Sequence, residues 1–187
     1  MVFSVLGLQD SQASVAEPND YSIATIESDI RPMDKVGPLK IGILCLPKGK
    51  LLWRDIARPG DQTAINILLR RLSALGLMIA NAPDPLFSEV APLTKYRIRV
   101  TYEAMTMSLC IAGMGIGKRP SGQGRVLIRW ETFDRSSKSR VANRSFEVLL
   151  SPDGRDARNV ESVIGDALRS SADQYVLSRR DAPTALP

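Results

Sequence analysis

The 187-residue sequence contains no histidine, only two cysteines, and few aromatic residues, 5% in all. Without histidine, the chain cannot form a Ser-His-Asp or Cys-His catalytic set, a histidine-ligated zinc site or a histidine-ligated haem. Two cysteines cannot supply a four-thiolate metal site. No apolar run approaches the ~18 residues that a membrane-spanning helix needs. These absences predict a protein that is not an enzyme and has no catalytic, metal-binding or cofactor-binding residues.

The overall composition is that of one ordinary globular domain. Apolar residues make up 44% and charged residues 24% of the chain, close to the average for folded proteins. The formal charge is +5, but residues 1–40 contain six acids and three bases, so the remainder carries +8. Such a bias suits nucleic acid or an anionic membrane surface. The bases are nevertheless scattered among acids, with no run of three, so a solvated surface of mixed sign is the favoured interpretation.

A short apolar run from Met1 to Leu8 opens the chain, and the small residues Ser14 and Ala16 follow it. Their spacing fits the small-x-small cleavage site of a secretory signal, but the basic segment that precedes such a signal is missing. Two alternatives stay open: a disordered tail, or the end of a signal peptide whose start lies upstream of Met1. We therefore expect residues 1–39 to be a signal remnant or a flexible N-terminal segment.

Hydrophobic patterning predicts an ordered domain over residues 40–178 and a mobile tail over 179–187. Residues 41–46 form a continuous apolar run that is typical of a buried strand. One amphipathic helix is predicted from Asp61 to Gly76 and a second after Asn159. Four further strands are predicted, and a turn at 134–138 joins the last two; they cover residues 77–80, 96–111, 125–133 and 140–150.

These elements predict an α+β fold with the order β-α-β-β-β-β-α, or with one extra strand in front if the β-like stretch Tyr21–Ile26 docks on an edge of the sheet. Each amphipathic helix needs an apolar surface to cover, and a single sheet can supply it to both. The predicted architecture is a two-layer sandwich in which both helices lie on one face of a mainly antiparallel sheet of four or five strands. Along the long strand, Tyr96, Ile98, Val100, Tyr102 and Ala104 are expected on one face.

Two groups of residues are candidates for a site. Cys45 and Cys110 could form a disulfide worth about 4 kcal/mol by the chain-entropy model, although two separately buried thiols are the favoured interpretation. Arg97, Arg99, Arg129 and Arg144 could form an interaction face of the sheet, and Arg129 and Glu131 should pair with charges on adjacent strands.

Other features of the sequence favour structural roles. Trp130 is expected in the core. The glycine-rich segment Gly113–Lys118 lacks the residues of a phosphate-binding loop and is interpreted as a connection between strands. Asp153 and Asp156 are expected to cap the start of the second helix and not to form an acid–base pair. Tyr96 and Tyr102 alternate away from Arg97 and Arg99, which disfavours a sheet that stacks nucleic-acid bases.

The segments around Tyr21, Ile41–Pro47, Gly124–Trp130 with Asp134, and Phe146, together with the last helix, resemble small envelope lipoproteins of Gram-negative bacteria. The auxiliary component of ABC-type lipid transport systems and the lipopolysaccharide-assembly lipoprotein are the two families concerned. The resemblance covers residues 20–178, but the lipid-attachment cysteine is absent. It implies a non-enzymatic periplasmic or outer-membrane-associated protein that docks on an envelope transport or assembly complex, with lipid or the outer membrane as a further partner. The alternative is a cytoplasmic adaptor that binds nucleic acid through its basic domain.

Overall fold

The computed structural model describes residues 20–80, 94–112, 119–151 and 160–180. The chain has an α+β fold, as predicted, but in the described residues three strands precede the first helix, where one strand, or two with the Tyr21–Ile26 stretch, was predicted. In chain order the elements are β1 (Tyr21–Ser28), β2 (Lys35–Ile41), β3 (Leu46–Leu52), a single 3-10 turn (Trp53–Asp55), α1 (Asp61–Ala74), β4 (Tyr96–Ala112), β5 (Arg119–Asp134), β6 (Ser139–Leu150) and α2 (Val160–Arg180).

The six strands of the described residues form one mixed sheet in the order β3-β2-β4-β5-β6, with β1 also paired to β4. Strand β4 is long enough to hold two parallel partners on the same edge. It pairs with β1 over residues 96–102 and with β2 over residues 109–111. The predicted count of four or five mainly antiparallel strands is therefore wrong, as is the predicted element order. The strand predicted at 77–80 is a single bridge between Ile79 and Tyr21.

The ordered domain includes residues well before Lys40, where the sequence placed its boundary. Ile23 in β1 is 2% exposed and belongs to the core. Residues 29–34, which fall in the segment predicted to be flexible, form a tight turn between β1 and β2, in which the amide of Arg31 donates to the carboxylate of Asp34 at 2.8 Å. At the other end, α2 continues to Arg180, past the predicted boundary at 178, and the remaining tail lies outside the described residues.

Both helices pack on the same face of the sheet, as their apolar stripes predicted. Leu68 and Leu72 of α1 and Ile164 and Leu168 of α2 are fully buried in one continuous core cluster. Trp130 is fully buried beneath α2, where its ring stacks on Tyr175 with 4.6 Å between centroids. Outside this core, the Arg71 guanidinium on α1 forms two 2.6 Å hydrogen bonds with the Asp173 carboxylate on α2.

A β-bulge at Glu103 changes which side chains of β4 face the helices. The register with β5 runs from Tyr102 opposite Ile128 to Ala104 opposite Leu127, which leaves Glu103 as the extra residue. Before the bulge the even-numbered positions face the core, and after it Met105, Met107 and Leu109 do. Ala104 is thus on the opposite face from the one predicted, because simple alternation ignores the inserted residue.

Candidate functional site

The candidate site lies on the outer face of the sheet, which we define as the face opposite the helices. Arg97, Arg99 and Arg129 all project from this face. Arg144 does not, because it is paired directly with Trp130, whose ring faces the helices. The structure therefore brings three of the four predicted arginines together. The sequence could not place the fourth, since its orientation depends on the register between β5 and β6.

Arginine side chains cover a buried carboxylate at the centre of the outer face. Glu131 is 2% exposed. Arg99 donates to its Oε2 at 2.9 Å from Nε, and Arg140 donates to its Oε1 at 2.7 Å. Burial raises the pKa of Glu131, but the hydrogen bonds from Arg140 and Arg99 outweigh burial and hold the pKa below its usual value. Glu131 is consequently a charged structural group rather than a proton donor.

A second set of ion pairs extends the first toward β1 and β6. Arg129 donates to Glu103 at 2.5 Å and to Asp29 at 2.8 Å. The hydroxyl of Ser145 donates to the other oxygen of Glu103 at 2.6 Å. Burial lowers the pKa of Arg129, but the carboxylates of Asp29 and Glu103 more than offset it and raise the pKa. The predicted pairing of Arg129 and Glu131 with charges on adjacent strands is confirmed.

This pairing changes what the outer face can bind. Arg99, Arg129 and Arg140 already contact the carboxylates of Asp29, Glu103 and Glu131. Phosphate recognition needs guanidinium groups that can turn toward an oxyanion. The network therefore argues against a nucleic-acid surface here. Its effect is to hold β4, β5 and β6 together.

An open groove of about 1040 Å³ occupies the other half of the outer face, beyond the Glu103 bulge. Its lining includes Pro38, Thr106, Gln123, Arg125 and Leu149. Leu149 is 79% exposed at the rim of this groove. Residues of β2, β4, β5 and β6 together form its lining.

A glycine holds β2 close to β4 at the edge of this groove. A Cβ atom built on Gly37 would lie 1.7 Å from the carbonyl oxygen of Met107. No other residue could occupy position 37 without moving the two strands apart. The close packing of β2 therefore depends on this glycine.

Cys45 and Cys110 are joined by a disulfide, with 5.4 Å between their Cα atoms. The structure thus contains the bridge rather than the two free thiols that the sequence analysis favoured. Cys45 lies in the turn between β2 and β3 with φ of 49°, and not in a buried strand. Because Lys40 of β2 is paired with Cys110 of β4, the turn that follows β2 is brought beside Cys110.

The predicted buried strand at 41–46 is instead the exposed end of the β2–β3 hairpin. We call Ile41–Leu46 the hairpin tip. Ile43 is 90% exposed, Leu44 80% and Leu46 60%. The apolar run suggested burial, but Gly42, with φ of 79°, reverses the chain within it. The lysines on both sides of the run were the signal in the sequence that could have indicated exposure.

The remaining sequence predictions concern metal ligands, a membrane-spanning helix and several loop residues. Within them, no group of three or more potential metal ligands lies together, and no helix is both long and apolar enough to cross a bilayer. Gly113–Lys118, Ser14, Ala16, Asp153 and Asp156 lie outside the described residues.

The sequence matches no family model and no curated protein. Its structure is similar to a Xanthomonas campestris protein of the DUF330 family, with 12% identity, 89% of this chain and 90% of that chain covered, and a TM-score of 0.49. It is also similar to a Chlamydia trachomatis protein, with 10% identity, 87% of this chain and 95% of that chain covered, and a TM-score of 0.46. A third similar structure is a minor lipoprotein of Acinetobacter baumannii, with 16% identity, 82% of this chain and 94% of that chain covered, and a TM-score of 0.36. These values are too low to assign a function, which must therefore be argued from this chain's own residues.

Proposed function

We propose that the chain is a non-enzymatic component of the bacterial cell envelope that acts in the periplasm. The observation that carries this proposal is the disulfide between Cys45 and Cys110. Structural disulfides persist in oxidising compartments such as the periplasm and are rare in the reducing cytoplasm. A small secreted-type domain also benefits most from a bridge that closes a long loop.

The charged groups support a role that does not involve catalysis. General acid–base catalysis needs a titratable group that can reach a substrate and whose pKa lies near the working pH. The buried carboxylate Glu131 meets neither condition, because guanidinium groups cover it and its pKa is lowered. The outer-face charges are engaged with one another, as expected of a scaffold.

Docking on a transport or outer-membrane assembly complex would use an exposed strand edge. Strand β6 pairs with β5 along one side. Its other side has no strand partner within the described part of the chain. Exposed sheet edges can accept an additional strand from a partner, with main-chain hydrogen bonds supplying the affinity. Val141, which is 52% exposed on β6, provides an apolar contact at that edge.

The compartment is tested by expressing the gene from its native upstream DNA in a Gram-negative host and separating the cell fractions. Alkylation of free thiols in the same fractions reports on the cysteines. We expect an oxidised protein in the periplasmic or outer-membrane fraction. A cytoplasmic product with both thiols reduced would refute the envelope proposal and favour the cytoplasmic adaptor, whose nucleic-acid binding should then weaken steeply with salt.

Docking is tested separately with a photo-crosslinking amino acid placed at Val141 in cells. The matched control places it at Asn66, which is exposed on α1. Discrete high-mass adducts from position 141 but not from position 66 would support strand-edge docking. Equal adducts from both positions, or none from position 141, would contradict it.

A further inference from the structure

The hairpin tip exposes four large apolar side chains within six residues. Ile43 and Leu44 stand at the turn, with Ile41 and Leu46 on either side, and all four have exposed side chains. Single exposed apolar residues are common, but a contiguous apolar patch on a small protein usually marks a contact with a partner or a membrane. Exposures of 90% for Ile43 and 80% for Leu44 show that the tip projects from the surface.

The charges around the tip have one sign. No acidic residue occurs between Asp34 and Asp55, whereas Lys40, Lys48 and Lys50 flank the tip on both strands. Their hydrocarbon stems can lie along apolar material while the ammonium groups reach an anionic surface. Lysines beside an apolar tip are complementary to the phosphates of an anionic lipid surface.

The tip is also held in place before it meets any partner. The disulfide connects Cys45 to β4. The amide of Gly42 donates to the carbonyl of Ile111 at 3.1 Å, and the amide of Cys45 donates to the carbonyl of Gly42 at 3.0 Å. Contact with a partner therefore requires little further ordering of the backbone, and the apolar side chains stay outside the core.

We propose that the hairpin tip inserts into the surface of an anionic lipid bilayer, with Ile43 and Leu44 in the acyl region and the flanking lysines at the phosphates. This interaction is shallow and reversible, like that of other interfacial elements that combine apolar residues with bases. It adds a lipid contact to the proposed envelope function. It can be tested on purified protein, so its failure is distinguishable from a failure of the localisation experiment.

The first experiment measures cosedimentation of the purified, oxidised protein with vesicles of equimolar phosphatidylethanolamine and phosphatidylglycerol. We expect the double variant Ile43→Ser/Leu44→Ser to bind at least tenfold more weakly than wild type. The matched control is Leu149→Ser, which removes an apolar side chain of nearly the same exposure, 79%, from another part of the surface. It should bind like wild type. The variant Lys48→Gln/Lys50→Gln should bind more weakly and with a shallower salt dependence.

A second measurement locates the tip in the bilayer. Trp53 and Trp130 are 1% and 0% exposed, so they provide a nearly constant background for a new fluorophore. The emission of Ile43→Trp should shift to the blue and be quenched by brominated lipids on addition of the anionic vesicles. That of Leu149→Trp should do neither. Undiminished binding by the double serine variant, equal loss in Leu149→Ser, or no binding of wild type to these vesicles would each overturn the proposal.

Discussion

Removal of the disulfide tests how the hairpin is held to the sheet. Cys45 and Cys110 are separated by 65 positions in the sequence. The chain-entropy model assigns a bridge that closes a loop of this length about 4 kcal/mol of stability. At about 2–4 °C per kcal/mol for a domain of this size, its loss should lower Tm by about 8–16 °C.

The loss should be concentrated in β2 and β3. Strand β2 meets β4 at only three register pairs, from Leu39 opposite Leu109 to Ile41 opposite Ile111. Strand β3 lies at the edge of the sheet and pairs with β2 alone. Without the bridge, these two strands should open before the rest of the domain, because their pairing with the remainder of the sheet is short.

The assay compares wild type with Cys45→Ser/Cys110→Ser by calorimetry and by hydrogen exchange. Wild type treated with reductant is the matched control, because it breaks the bridge without changing the sequence. Both samples should show the lower Tm and faster amide exchange over residues 35–52. An unchanged Tm in both would refute the loop-closure argument. Faster exchange spread evenly over all strands would refute the local account.

Other predictions concern the ion pairs and the close strand packing. Glu131→Gln should lower the free energy of unfolding by about 1–2 kcal/mol, because the buried side chain loses its charge-assisted hydrogen bonds while Arg99 and Arg140, 38% and 51% exposed, can turn to water. Glu147→Gln, whose carboxylate is 53% exposed beside Arg125, should cost less than about 0.5 kcal/mol. The folded-state pKa of Glu131 lies below its ordinary value of 4.5, so the stability that its charge contributes is complete above pH 4.5 and is lost as the pH falls through the lower folded-state pKa. The free energy of unfolding, measured as the pH is lowered, should show this loss in wild type and not in Glu131→Gln. Gly37→Ala should lower the free energy of unfolding, measured with denaturant, by about 2 kcal/mol or more, whereas Gly49→Ala, with no atom within 4 Å of the new Cβ, should be tolerated. Equal effects of the two alanines would show that the close approach of Gly37 to Met107 is unimportant.

The sequence predicted the helices and the β5–β6 hairpin because local patterns determine them. The stripe around Leu68 and Leu72 has the spacing of one helix face, and Gly76, with φ of 86°, follows the end of α1. Asp134 accepts hydrogen bonds from the amides of Ser136 and Ser137, which closes the predicted turn. These interactions span a few residues, so their signals are visible without the fold.

The predictions that failed concern features that depend on how strands distant in sequence pair with each other. Alternation on β4 was predicted correctly up to Tyr102, but the extra residue at Glu103 becomes evident only from the register with β5. The disulfide could not be settled because it depends on β2 lying beside β4, a pairing between segments far apart in the chain. The run at 41–46 was misassigned because an apolar segment was assumed to be buried, an assumption that fails at surfaces that make contacts.

The Glu103 bulge divides the outer face into two parts with different physical roles. On one side the arginines are engaged with Asp29, Glu103 and Glu131, so their charge stabilises the sheet and is not free for a partner. On the other side lie the open groove and, at the end of β2, the hairpin tip with its exposed apolar side chains. A partner gains more by covering exposed apolar groups than by separating ion pairs that are already formed. Contacts with lipid should therefore concentrate at the hairpin tip, away from the paired arginines of the sheet.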